Sequence, residues 1–201
     1  MAKIENYIEH NFSSRRKAKP FIHIVHYTGT DNVLSTLDWF SRPESRVSAH
    51  EIIDLNGDRY LTVPKELKAW HAGTSVYYGK THPKGRKNIN DISFGYELVG
   101  TYGSEFTDQQ YDSLTEAILE VIYHQEFEKA TIDELWDCVV GHQHISPRRK
   151  IDPGETFSWA RLYRNIQQKH IENTDDSDMP NMVFTPPIVG YIRDNYQTAR
   201  R

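Results

Sequence analysis

The chain has 201 residues, enough for one domain with extensions and a core of useful size. Its 24 basic against 28 acidic side chains leave a formal charge of −4, which excludes a broad basic field for nucleic acid. Apolar residues make up only 37 % of the chain, and none of its apolar runs approaches the roughly 20 residues of a spanning helix, so no membrane span is expected. The single cysteine, Cys138, excludes an intrachain disulfide and is expected to act as a small buried hydrophobe. Residues 1–20 are polar and lack the apolar segment of a secretion signal, so a cytoplasmic location is the default expectation.

Along the chain, 21–27 is an apolar run carrying His23 and His26, which predicts a buried strand ending at Thr28-Gly29. Val33, Leu34, Leu37 and Phe40 fall at helical spacing within 31–41, with Thr30 or Asp31 as N-cap. Segments 47–54 and 59–63 flank Asn56-Gly57, a strong hairpin signal, and Pro64 closes the pair. Residues 75–90, rich in Gly, Lys and Tyr, predict a long surface loop, and 93–99 predicts another strand. The clearest helix runs from Thr107 to about Lys129. Thr107 and Gln110 form its capping box, and Tyr111, Leu114, Ile118, Val121, Ile122 and Gln125 mark its stripe. A short strand over 136–140 and an amphipathic helix over 157–170 follow, the latter carrying Trp159, Leu162 and Ile166. Residues 172–182 read as an acidic linker, and 183–201 as a tail that docks on the body or on a partner. The alternation predicts an α/β (α+β-like) fold, a central mixed β-sheet flanked by helices.

The segment 141–154 concentrates His142, His144, Lys150 and Asp152 in one non-periodic stretch, and loops of this kind carry function when a scaffold positions them. His26 stands at the end of the first apolar strand, a rigid place from which to aim a ligand. His26, His142 and Asp152 together supply the three N/O ligands of a catalytic zinc with one position left for water. On spacing alone this set is one candidate.

Five motifs occur in a fixed order: His26-Tyr27-Thr28, Ser48-Ala49-His50, Ala69-Trp70-His71-Ala72-Gly73, the run from Ser93 to Gly100, and the run from Gly141-His142 to Asp152-Pro153-Gly154. Over about residues 21–168 the chain resembles the zinc-dependent N-acetylmuramoyl-L-alanine amidases of the type-2 amidase family, related to T7 lysozyme and the peptidoglycan recognition proteins. The resemblance implies a catalytic domain over 21–171 with a zinc cleft on one side of the sheet. One Zn2+ falls on His26, His142 and Asp152. The implied reaction is hydrolysis of the amide between the lactyl group of N-acetylmuramic acid and L-alanine, in peptidoglycan or muropeptides. Two alternatives stand beside it: a non-catalytic peptidoglycan-binding module, or a zinc amidase acting on a stem-peptide bond. A phage-type or non-classical release to the wall is the alternative to a cytoplasmic setting. The chain departs from the family pattern at His144, where many relatives carry Asp, and at Arg148, where Gly is frequent. Its His-Tyr-Thr strand end leans toward members that also cut intact wall.

Among candidate catalytic residues, Glu97 lies in the apolar run 94–98, where an unpaired carboxylate costs several kcal/mol to bury. Burial raises its pKa toward the range useful for taking and returning a proton, although a salt-bridged strand carboxylate is the plainer alternative. Lys150 stands two residues before Asp152, so an extended chain projects both to one side, where an ammonium can stabilise an oxyanion. Arg148 and Arg149 read as solvated loop charges or as contacts for stem-peptide carboxylates. His50, Trp70 and His71 are the candidate substrate contacts, with packing roles as the alternative for each. His144 competes with His142 as the ligand.

Overall fold

The protein is described by a computed structural model covering residues 1–16, 19–79, 82–124 and 136–174. Six strands form a mixed sheet: β1 (Lys3–Glu5), β3 (Ile22–Tyr27), β4 (Glu51–Ile53), β5 (Arg59–Leu61), β7 (Ser93–Leu98) and β8 (Val139–Gly141). Their order is β1-β5-β4-β7-β3-β8, and only the β4–β5 hairpin is antiparallel. A second, two-stranded antiparallel sheet pairs β2 (Phe12–Ser14) with β6 (Leu67–Ala69). The helices are α1 (Val33–Ser41), α2 (Asp108–His124), α3 (His142–Ile145) and α4 (Trp159–Thr174).

β3 and β7 form the centre because their apolar residues can be buried on both faces, as parallel strands require. Ile22, Ile24, Val25, Phe94, Tyr96 and Leu98 are all buried. The register sets Ile22 beside Ser93, Ile24 beside Gly95 and His26 beside Glu97. Alternation then places Ser93, Gly95 and Glu97 in one column, on the sheet face that also carries His26. At Asn56-Gly57 the hairpin turn needs a left-handed residue, and Gly57 supplies it at φ +84°.

α2 follows its predicted stripe, with Tyr111, Leu114, Ile118, Val121 and Ile122 buried. Its capping box is formed: Gln110 N donates to Thr107 Oγ1 at 3.1 Å and Thr107 N donates to Gln110 Oε1 at 3.0 Å. α4 packs beside it, burying Leu162 and Ile166.

Several sequence expectations are corrected. Asn32, not Thr30 or Asp31, caps α1, accepting from Leu34 N at 2.8 Å, and Leu34 is exposed while Val33, Thr36 and Phe40 face inward. The strand expected over 47–54 shortens to β4, since Ser48 N turns to the Trp70 carbonyl at 3.2 Å and leaves the sheet ladder. Trp136-Asp137-Cys138 is helical, so β8 starts only at Val139, and Cys138 is partly exposed. In the 75–90 loop Tyr77 and Ile89 are buried, and Tyr77 bridges to Arg86. The polar first residues add β1 and β2; Lys3 pairs with Glu120 at 2.9 Å, and Glu120 in turn binds Arg59 beside the buried Glu51. Gln125, the end of the predicted helix and the tail beyond 174 lie outside the described residues.

Candidate metal centre and active-site cleft

Two strand ends and one loop build the ligand cluster. His26 is the penultimate residue of β3, and His142 opens α3 directly after β8, the neighbouring strand. The loop after α3 returns Asp152 to the same point, held by Gln143 N donating to the Asp152 carbonyl at 2.9 Å. Asp152 Oδ2 lies 2.8 Å from His26 Nδ1 and 3.1 Å from His142 Nδ1. All three side chains are buried, and their candidate ligand atoms lie within 4.8 Å of one another.

The donor set fits a cation. His142 Nε2 is 3.0 Å from the Ala72 carbonyl, which only accepts, and 3.4 Å from Arg149 Nη2, so the tautomer with its proton on Nε2 satisfies the closer partner. In the neutral ring that ligation requires, Nδ1 then aims its lone pair at a carboxylate oxygen. A cation held by these two atoms would remove this repulsion, and the Ala72 carbonyl fixes the ring's orientation as a ligand's outer partner does. Burial draws His26 down to about 4, against the pull of Asp152, and so keeps its ring neutral at pH 7. Burial alone raises the Asp152 carboxyl, but its contacts with His142 and His26 outweigh this and hold it well below the usual carboxylate range.

His144 is not in this cluster. Its Nδ1 accepts from Gly141 N at 3.0 Å and its ring packs on Trp159 at 5.0 Å, while burial lowers it to about 4. The tie to Gly141 turns the imidazole away from Asp152.

Above the cluster opens a cleft of about 420 Å³, and Glu97, Lys150, Trp70 and His71 all line it. Glu97 is mostly buried, with Oε2 lacking a hydrogen-bond partner among the described residues. Burial, then repulsion from Asp152, raises its carboxyl well above the ordinary value, with Lys150 opposing. No salt bridge involving Glu97 forms among the described residues, so the plainer strand-carboxylate alternative finds no partner here.

His50 does not reach the cleft, which corrects its reading as a substrate contact. It is buried immediately before β4, where Nδ1 accepts from Gly95 N at 3.0 Å and Nε2 lies 2.9 Å from Arg15 Nη2 and 3.2 Å from the Leu67 carbonyl. Burial, reinforced by Arg15, lowers it to about 3. His71 is at the cleft floor, but its two nitrogens face His26 and Ser93. Trp70 keeps a partly exposed ring at the cleft wall, with Nε1 donating to Ser13 Oγ at 3.1 Å.

Sequence reasoning missed the rim. Trp39, 47 % exposed at the end of α1, and Val47 line the cleft opposite the 141–154 segment. Trp39 looked like any surface residue of a helix, and nothing local marked it. Arg149, read as a solvated charge or a contact for stem-peptide carboxylates, is exposed but also donates to the Ala72 and Thr74 carbonyls, both at 3.0 Å, and borders the cleft. Arg148 is exposed, as a solvated charge should be.

Residues 16–155 match the family described as Amidase_2, N-acetylmuramoyl-L-alanine amidase. The chain belongs to this amidase family. Among curated relatives of the amidase, the 1,6-anhydro-N-acetylmuramyl-L-alanine amidase AmpD of Haemophilus influenzae is 40 % identical over 124 residues, covering 62 % of this chain and 61 % of that protein. The chain thus spans about three-fifths of that relative's length. A crystal structure of a selenomethionine AmpD derivative superimposes with a TM-score of 0.67 at 28 % identity, over 82 % of this chain and 93 % of that one. The Escherichia coli amidase AmiD, solved with anhydro-N-acetylmuramic acid-L-Ala-D-γ-Glu-L-Lys, gives 0.58 at 28 % identity, over 76 % of this chain and 60 % of that one. No helix among the described residues of the amidase is long and apolar enough to cross a membrane.

Proposed function

We propose that the chain is a zinc-dependent amidase that hydrolyses the bond between the lactyl carbonyl of N-acetylmuramic acid and L-alanine in muropeptides. The observation that carries this is the convergence of His26, His142 and Asp152 beneath a cleft that Glu97 and Lys150 also line. Membership in the amidase family, and the likeness to AmpD and to substrate-bound AmiD, support the choice of substrate.

Two imidazoles and one carboxylate suit zinc, which when held there supplies Lewis acidity to the scissile carbonyl and acidifies a bound water. In this reading Glu97 is the proton carrier. It accepts a proton from the attacking water as the O–C bond forms, then delivers it to the L-alanine nitrogen as the C–N bond breaks. Its raised proton affinity favours taking the proton from water, and the opposing Lys150 charge eases its release to the nitrogen. The Lys150 ammonium offsets the negative charge that builds on the carbonyl oxygen. Trp70 and Trp39 offer apolar ring faces at the cleft wall to the sugar, and Arg149 lies at the edge where a stem-peptide carboxylate would pass.

The test is mass spectrometry of soluble anhydromuropeptides and of intact sacculi digested by the zinc-loaded protein. Free stem peptide together with unsubstituted sugar is the expected product pair. Shortened stems still attached to sugar, or binding without cleavage, would overturn the assignment.

A further inference from the structure

We infer that His71 is a positioning residue for the metal site: with Ser93 it fixes which nitrogen of His26 carries the ring proton. The inference rests on the metal-centre reading above and deepens it.

The geometry begins with the column Ser93, Gly95, Glu97 on the face of β7 that His26 shares. His71 enters just after β6 and lies flat over the middle of that column. A Cβ at position 95 would sit 2.5 Å from His71 Cγ, so only glycine leaves the imidazole its slot. There His71 Nδ1 is 3.1 Å from His26 Nε2, and His71 Nε2 is 3.1 Å from Ser93 Oγ. The Ser93 hydroxyl also reaches the Ile89 carbonyl at 2.8 Å. His26, His71 and Ser93 are 2 %, 9 % and 0 % exposed, so in the folded protein these polar atoms rely on one another as partners.

A neutral imidazole has one N–H and one lone pair, and a serine has one O–H, so the chain admits two proton orders. In the first, Ser93 donates to His71, His71 donates to His26 Nε2, and His26 keeps its proton on Nδ1, facing Asp152. That order blocks the ligating atom. In the second, Ser93 donates to the Ile89 carbonyl, His71 Nε2 donates to Ser93, and His26 Nε2 donates to His71 Nδ1. His26 Nδ1 is then bare beside Asp152, ready for a cation. The Ile89 carbonyl makes the second order possible, because it gives the Ser93 proton an acceptor once His71 becomes the donor. His71 therefore serves His26 as the Ala72 carbonyl serves His142. Loss of such an outer partner typically weakens metal affinity about 10–100-fold.

The experiment compares full-length wild type, His71→Ala, His71→Gln and Ser93→Ala. Zinc Kd is measured by chelator competition, and exchange of the His26 Nε2–H is followed by nitrogen-15 NMR in the zinc-loaded proteins. His71→Ala is expected to weaken zinc binding about 10–100-fold and to expose that proton to rapid exchange. His71→Gln, whose amide can accept from His26 and donate to Ser93, recovers most of the affinity. Ser93→Ala speeds exchange and weakens binding in the same direction. Zinc Kd for His71→Ala within about twofold of wild type, or no gain from Gln over Ala, overturns the inference. If His71→Ala does not fold, unchanged Kd and exchange in Ser93→Ala overturn it equally. A wild-type protein that binds no zinc would instead sink the metal-centre reading itself.

Discussion

Replacing Glu97 with glutamine separates chemistry from folding. The wild-type carboxyl is buried with one oxygen unpartnered, and burial together with Asp152 raises it well above its ordinary 4.5. The unfolded chain loses this proton near pH 4.5, whereas the folded one retains it to higher pH, so the folded state binds more protons in between. Stability from this group is fully present below that pH and declines as pH rises toward the folded value. The slope for one group is about 1.4 kcal/mol per pH unit. Glu97→Gln has nothing to titrate, so in metal-free protein its stability should gain on wild type by about that slope above pH 5, levelling off once the folded value is passed. Turnover of the zinc-loaded variant should fall about 10²–10⁴-fold with zinc content unchanged. Urea unfolding of both proteins in chelator from about pH 5 to about pH 8, beside turnover and metal analysis, checks both parts. Parallel stability curves, or turnover within about tenfold of wild type, would refute the reasoning.

Asp152→Ala should purify without zinc and without activity, while a fully occupied mutant would remove Asp152 from the ligand set. Lys150→Ala should lower kcat about 100-fold with a smaller change in KM, because its partner charge exists only in the transition state; equal kcat in the two proteins would count against it. Zinc added to metal-free protein should raise Tm in a concentration-dependent way, and a Tm indifferent to zinc would deny a folded-state site. Burial lowers His23 and His50 to about 3 from 6.5, so the unfolded chain takes up more protons between those values and stability falls as pH drops through that window. The two together add at most about 3 kcal/mol per pH unit, and a flat unfolding free energy between about pH 6.5 and about pH 4 would contradict their neutral burial.

Where a local signal existed, the residues themselves were informative. The Thr107–Gln110 capping box, the α2 stripe and the Asn56-Gly57 turn each lie within one short stretch of chain, and each appears in the structure. β1, β2 and β6 were not legible, because three residues show no periodicity and their partners are remote, as in Lys3 beside Arg59 or Phe12 beside Ala69. Leu34 shows the opposite failure: helical spacing admitted it to the stripe, but α1 turns Val33, Thr36 and Phe40 inward and leaves it 66 % exposed.

For the site, the sequence by itself determined the chemical inventory: two imidazoles and a carboxylate in family motifs, a carboxyl in an apolar strand, and a lysine beside the third ligand. Residue types and short spacings carry that information because a ligand or proton carrier is defined by its functional group. Only the tertiary structure decided orientation. It turned His144 toward Gly141, tied His50 to the backbone of Gly95, brought Trp39 to the cleft and set His71 on Gly95 between His26 and Ser93. Apart from the His144 contact, which spans three residues, those outcomes depend on strand register and on contacts between remote residues, such as hydrogen bonds 22 to 45 positions apart, which no local pattern encodes.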